Sequence, residues 1–217
     1  MQNNIAIDLE SLDKNSHRMV DKILADCERN GVTVNLVNAS YIKENGVDCN
    51  GFFDEDELEL RVACKRAFQI WIAVLAHESC HMDQYFEECA CWLENYNQND
   101  AGILLDLWLD NSIELTPEQL NKYVRTVQWY ELDCEKRAMA KLRKFKVPID
   151  MGICIQQANS YLFFYTMLAV KRKWYRKNRA PYEKKAIWER MPKRFLPLDA
   201  YAQMHSEYIA LYDKYAF

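Results

Sequence analysis

The segment Ala76-His77-Glu78-Ser79-Cys80-His81 constrains this chain more than any other, because it sets two imidazoles and a carboxylate within five positions of an apolar run. Phe68, Ile70, Trp71, Ile72, Val74 and Leu75 lead into it and read as one buried helix. On that helix His77 and His81 are one turn apart and face the same way, so both imidazoles can reach one Zn²⁺. Glu78 lies one position round, beside such a metal, where it can take a proton from a water and later return it to a leaving amine. Only four histidines occur in the whole chain, which makes a chance pairing at this spacing a poor explanation. The competing account is a buried helix whose histidines are satisfied by neighbouring carboxylates.

The 217 residues suit one domain or a domain with a helical appendage, and 50% hydrophobic content is ample for a core. A net charge of -4 exerts no overall pull toward nucleic acid. The polar start Met1-Gln2-Asn3-Asn4 and the short apolar runs predict neither an export signal nor a membrane span, and so a cytoplasmic protein. The eight cysteines include no CxxC, and Cys89-x-Cys91 stands alone, so free, mostly buried thiols are expected rather than a disulfide framework.

Along the chain, Met19, Val20, Ile23, Leu24 and Cys27 predict a helix over 16–30 that stops at Asn30-Gly31. Strands are expected over 32–37 and 57–64, separated by polar turns at Asn45-Gly46 and Asn50-Gly51, and the motif helix should cover about 65–87. Residues 94–100 read as a polar loop, followed by a short apolar piece over 103–109. Thr116-Pro117-Glu118-Gln119 is a capping box that opens a long helix to about Phe145, before Pro148. A largely apolar helix over 153–170, a basic stretch over 171–194 and an amphipathic helix over 199–215 complete the chain.

A catalytic zinc needs a third protein ligand and an open position for water. The long helix has the stripe Leu120, Val124, Val127, Glu131, Cys134, Ala138, Leu142 and Phe145, which puts Glu131 at a core position where a carboxylate needs a metal or a counter-charge. Arg125 and Arg137 are the bases that could supply that charge instead. Glu135 is one turn on and can accept the second ring proton of a ligand histidine. Two further candidates are Glu87, six residues after His81 but without a glycine to turn the chain between them, and His205 in the last helix.

His77-Glu78-Ser79-Cys80-His81 joined to Glu131-x-Asp133-Cys134-Glu135-x-x-Ala138 resembles the gluzincin pattern of zinc metallopeptidases. Within it the chain is most similar to peptidases of the ImmA/IrrE type and to uncharacterised phage-encoded metallopeptidases sharing the wording HExCHxxQ and ELDCEKR. The resemblance spans roughly residues 16–145 and implies His77, His81 and Glu131 as ligands, Glu78 as base and Glu135 behind them, where Asn or Asp is usual. It implies an α+β, mainly helical fold, with a small antiparallel or mixed sheet packed on the zincin-like HExxH helix and a long ligand-bearing helix. Residues 1–150 would form the zincin-like metallopeptidase core and 151–217 a helical C-terminal extension packed on it. The strand over 57–64 precedes the motif helix, and such an edge commonly holds an extended peptide in these enzymes.

The expected activity is zinc-dependent hydrolysis of a protein or peptide substrate by a narrowly specific enzyme, in the host cytoplasm if the chain is phage-encoded. Tyr161 and Tyr165, i and i+4 on one helix, are candidate oxyanion donors, with packing as their alternative role. A second class of function comes from Lys171, Arg172, Lys173, Arg176, Lys177 and Arg179 around Trp174 and Tyr175: residues 171–194 interleave bases and aromatics as a nucleic-acid-binding or regulatory segment would. Its plain alternative is a solvated helix end whose aromatics dock on the core. A third class is a zinc-stabilised interaction protein without hydrolysis.

Overall fold

The computed structural model describes residues 3–44, 47–98, 100–203 and 206–217. Asn45-Gly46 and His205 therefore lie outside the described residues. The fold is mainly helical α+β with one small mixed sheet and a separate antiparallel pair. The chain divides into two compact units, Met1–Glu87 with Lys136–Asp150, and Glu88–Glu135 with Met151–Phe217.

In the first unit, β1 (Asn4–Ile5), α1 (Lys14–Arg29), β2 (Thr33–Val37), β3 (Ile42–Glu44), β4 (Val47–Cys49), β5 (Gly51–Asp54) and β6 (Glu59–Ala63) precede α2 (Phe68–Glu87). Asp13 caps α1 by accepting from the amides of Asn15 and Ser16, so the helix starts at Lys14, two residues ahead of the start that apolar spacing suggests. The sheet order is β1-β2-β6-β5, with β2 parallel to both β1 and β6, and β5 antiparallel to β6. Alternation works as expected in β2 and β6: Val34, Leu36, Leu60 and Val62 are buried. One expectation is corrected. The strand before the motif helix, β6, has a partner on each side, so the edge belongs to β5, where the sequence suggests only a turn.

Helix α2 packs on β5 and β6 and buries Trp71, Ile72, Leu75 and Ala76. The approach to β5 is close: a Cβ on Gly51 would lie 2.6 Å from Val74 Cγ1 and 3.0 Å from Glu78 Cγ. Glycine at 51 is what lets the motif helix seat against this edge strand.

The second unit holds α3 (Ala90–Asn97), α4 (Ala101–Leu109), most of α5 (Pro117–Phe145), α6 (Met151–Lys171), α7 (Lys185–Trp188), α8 (Leu198–Tyr201) and α9 (Ser206–Tyr215). The capping box is present in both directions, from the Thr116 amide to Gln119 Oε1 at 2.9 Å and from the Gln119 amide to Thr116 Oγ1 at 3.2 Å. Along α5, Val124, Val127, Cys134, Ala138 and Leu142 are buried, as the stripe requires. Helix α6 is the core of this unit: Leu162, Phe163, Phe164, Met167 and Leu168 pack with Ile187, Met191, Tyr201 and Tyr212. The expected loop over 94–100 is helical through Asn97: Cys91 is buried, Glu94 and Asn95 are half-buried, and Leu93, Tyr96 and Asn97 face solvent. The helix expected over 199–215 is two pieces, α8 and α9.

Candidate metal centre

The site in the first unit is built on one helix. His81 Nε2 lies 3.0 Å from His77 Nε2, and the rings meet nearly edge to face at 83°. A zinc ion held by both would keep these nitrogens about 3.3 Å apart, so an opening of a few tenths of an ångström admits one. Gln84 Oε1 stands 2.9 Å from His81 Nδ1. That contact suits an Nδ1–H donating to the amide oxygen, which leaves the Nε2 lone pair for a cation. Gln84 is fully buried. It takes the Nδ1 position of His81 because i+3 on the same helix is within reach. Sequence reasoning assigned Gln84 no role, although its place three residues after the second histidine was the available signal.

Glu78 is 8% exposed on the same turn, beside Gly51 of the edge strand. Behind the site, Ser79 Oγ donates to the Ala76 carbonyl, and Lys141 Nζ donates to Ser79 Oγ at 2.7 Å and to Asp83 Oδ2 at 2.9 Å. Burial works against the Lys141 charge, but Cys80 and the Asp83 carboxylate outweigh it, and the ammonium pKa stands above the ordinary lysine value. Glu87 is ion-paired with Arg137 at 2.6 Å, and Arg125 with Asp199 at 2.5 Å.

In the second unit, Glu131 is half-buried on α5 and shares its surroundings with Tyr161 and Tyr165 of α6. The two hydroxyls are hydrogen-bonded at 2.9 Å. Burial first, then the neighbouring phenol and the Glu131 charge, push Tyr161 well above the ordinary tyrosine range; burial and the Glu131 charge do the same for Tyr165. Both phenols therefore stay protonated and can only donate or accept hydrogen bonds at neutral pH. Glu135 is half-buried on the next turn of α5, and its charge adds to the burial that pushes Tyr201 up to about 12.

The basic stretch is partly committed. Lys171 pairs with Asp213 at 2.6 Å, while Arg172 donates to the Trp108 carbonyl at 2.8 Å and pairs with Glu114 at 3.1 Å. Trp174 and Tyr175 pack their rings against Phe164. Lys173, Arg176 and Lys177 are exposed.

All eight cysteines are free thiols, and six are buried. Burial pushes Cys27 and Cys64 up to about 12. Among the described residues of the second unit, Cys89, Cys91 and Asp133 form a group of side chains that could hold a metal ion, as the His77 and His81 pair could in the first. No described helix is long and apolar enough to cross a membrane. Comparisons with protein-family models, with curated proteins and with solved structures give no match.

Proposed function

We propose that the chain is a cytoplasmic zinc metallopeptidase of the gluzincin type, hydrolysing a narrow set of protein or peptide substrates. The observation that carries this reading is the convergence of the His77 and His81 Nε2 atoms at 3.0 Å, with Gln84 on the far nitrogen of His81. The donor set fits zinc, which takes imidazole and carboxylate ligands, and when bound it would polarise a scissile carbonyl and acidify a water.

Glu78 takes the proton of the attacking water on its carboxylate and passes it to the departing nitrogen. Burial of Glu78 keeps bulk water from competing for that proton. The edge strand β5, with Gly51 against Glu78, offers main-chain groups to an extended peptide. The third ligand is assigned to Glu131 on the helix stripe and the family resemblance. Tyr161 and Tyr165 are assigned to the oxyanion on their i,i+4 spacing.

The test compares wild type with Glu78→Gln and His77→Ala. Glu78→Gln should keep its metal and its fold yet lose cleavage of a broad peptide library by about 10²-fold or more. His77→Ala should lose the metal, read by elemental analysis. Equal cleavage by wild type and Glu78→Gln would overturn the mechanism. Metal-free protein after growth in zinc-replete medium would overturn the reading as a whole.

A further inference from the structure

We infer that Cys89, Cys91 and Asp133 form a thiolate-rich metal site in the second unit that takes Zn²⁺, separate from the proposed catalytic centre. The three ligand atoms lie within 4.8 Å of one another, and the two sulfurs are 3.2 Å apart. Two thiolates on one tetrahedral zinc stand about 3.7 Å apart, so a small opening of the pair admits the ion.

The backbone is shaped for this approach. Glu88 takes a left-handed conformation with φ 47°, and Cys89 follows in extended conformation as the cap of α3. Cys91 lies in the first turn of α3, so a bend and a cap bring the sulfurs of Cys89 and Cys91 together. Asp133 reaches the same point from α5.

The residue type at 89 supports a ligand role. Helix caps favour Ser, Thr, Asp and Asn, whose oxygens bond the first amides. Cys89 makes no such bond, so its sulfur is not spent on the helix end. Two ionisable sulfurs beside a carboxylate repel one another once charged, and a cation among them removes that conflict. Sulfur donors select zinc and other soft ions over magnesium or calcium. Cys91 is 3% exposed, whereas Cys89 and Asp133 are half-buried, so the ion would enter from the Cys89 side. Three protein ligands leave a fourth position for water or an added ligand.

The experiment uses the full chain in reducing buffer with Cd²⁺ as the probe, on a His77→Ala/His81→Ala background that disables the other centre. Thiolate-to-cadmium absorption should saturate at about one equivalent, fall by about half in Cys89→Ser, and vanish in Cys89→Ser/Cys91→Ser. Asp133→Asn should weaken binding about tenfold. Serine is the better cap at 89, so loss of signal there is not loss of fold. Absorption unchanged in the double cysteine variant, or no absorption at all, would overturn the inference.

A measurement on wild type needs no variant. Zn²⁺ should slow alkylation of Cys89 about tenfold or more while leaving Cys49, the other half-buried thiol, unchanged. Equal alkylation of Cys89 with and without Zn²⁺ would overturn it. Neither readout depends on peptide hydrolysis, so this site can fail while the catalytic reading stands, or the reverse.

Discussion

Helices α2 and α6 are both buried, both rich in aromatic and aliphatic side chains, and both carry polar groups into their cores, yet they use those groups differently. On α6, Gln156 donates to the carbonyls of Glu189 and Met191, and Asn159 to those of Pro192 and Arg194. Asn159 also accepts from the Tyr201 hydroxyl at 2.5 Å, and the Ser160 carbonyl accepts from Tyr212. Each contact ends on backbone or on a hydroxyl that needs a partner, which pins a stretch with little regular structure onto the helix. On α2, by contrast, His81 faces Gln84 with one ring nitrogen and His77 Nε2 with the other. A polar group that closes a backbone valence is architecture. Two lone-pair donors aimed at one point can share a cation, which is what the proposed function asks of α2.

The comparison breaks first at Asn159. Asn159→Leu should destabilise the second unit by about 3 kcal/mol, because two carbonyls and the Tyr201 hydroxyl lose a buried partner at once. Metal content per folded molecule should stay at the wild-type value. Stability within a few tenths of a kcal/mol of wild type, or metal lost from folded protein, would show that α6 is not the purely architectural helix. The next test sharpens the α2 side. Gln84→Leu keeps the volume but removes the acceptor that orients His81, and should weaken zinc binding about 10–100-fold. Gln84→Glu retains an acceptor and should bind zinc at least as well as wild type. Unchanged affinity in the leucine variant would remove Gln84 from the site.

The sequence made α2, α5 and the free thiols legible because each rests on local rules. Apolar spacing marks α2, Thr116 and Gln119 mark the start of α5, and the absence of CxxC argues against a disulfide framework. The site was half-legible for the same reason: His77, Glu78 and His81 lie within one helical turn. What was not legible depends on distant partners. Strand β5 spans only Gly51–Asp54 and exists by pairing with β6. Asp133 meets Cys89 and Cys91 across more than forty positions of sequence. Helix α3 hid behind asparagines whose composition suits loops, though Cys91 is buried in it. Gln84 was in plain view, but a glutamine in a helix announces nothing until its oxygen is found on His81.

The smallest effect concerns the support beneath the motif. Lys141 holds Ser79 and Asp83 from behind α2, and its side chain is only 18% exposed. Its pKa is raised in the folded protein above the ordinary 10.5, so folding favours the charged form. The sign follows by linkage: the contribution is complete below the unfolded value of 10.5 and fades as pH rises through the higher folded value. Tyrosines and buried thiols also titrate in alkali, so the informative quantity is the difference between wild type and Lys141→Met. That difference should be about 1–2 kcal/mol at neutral pH and should shrink only above the ordinary lysine pKa. Denaturant unfolding at stepped pH would measure it. A difference that grows in alkali would reverse the sign of the linkage. A neutral-pH difference near zero would mean that the ammonium does not brace the turn carrying His77, Glu78 and His81.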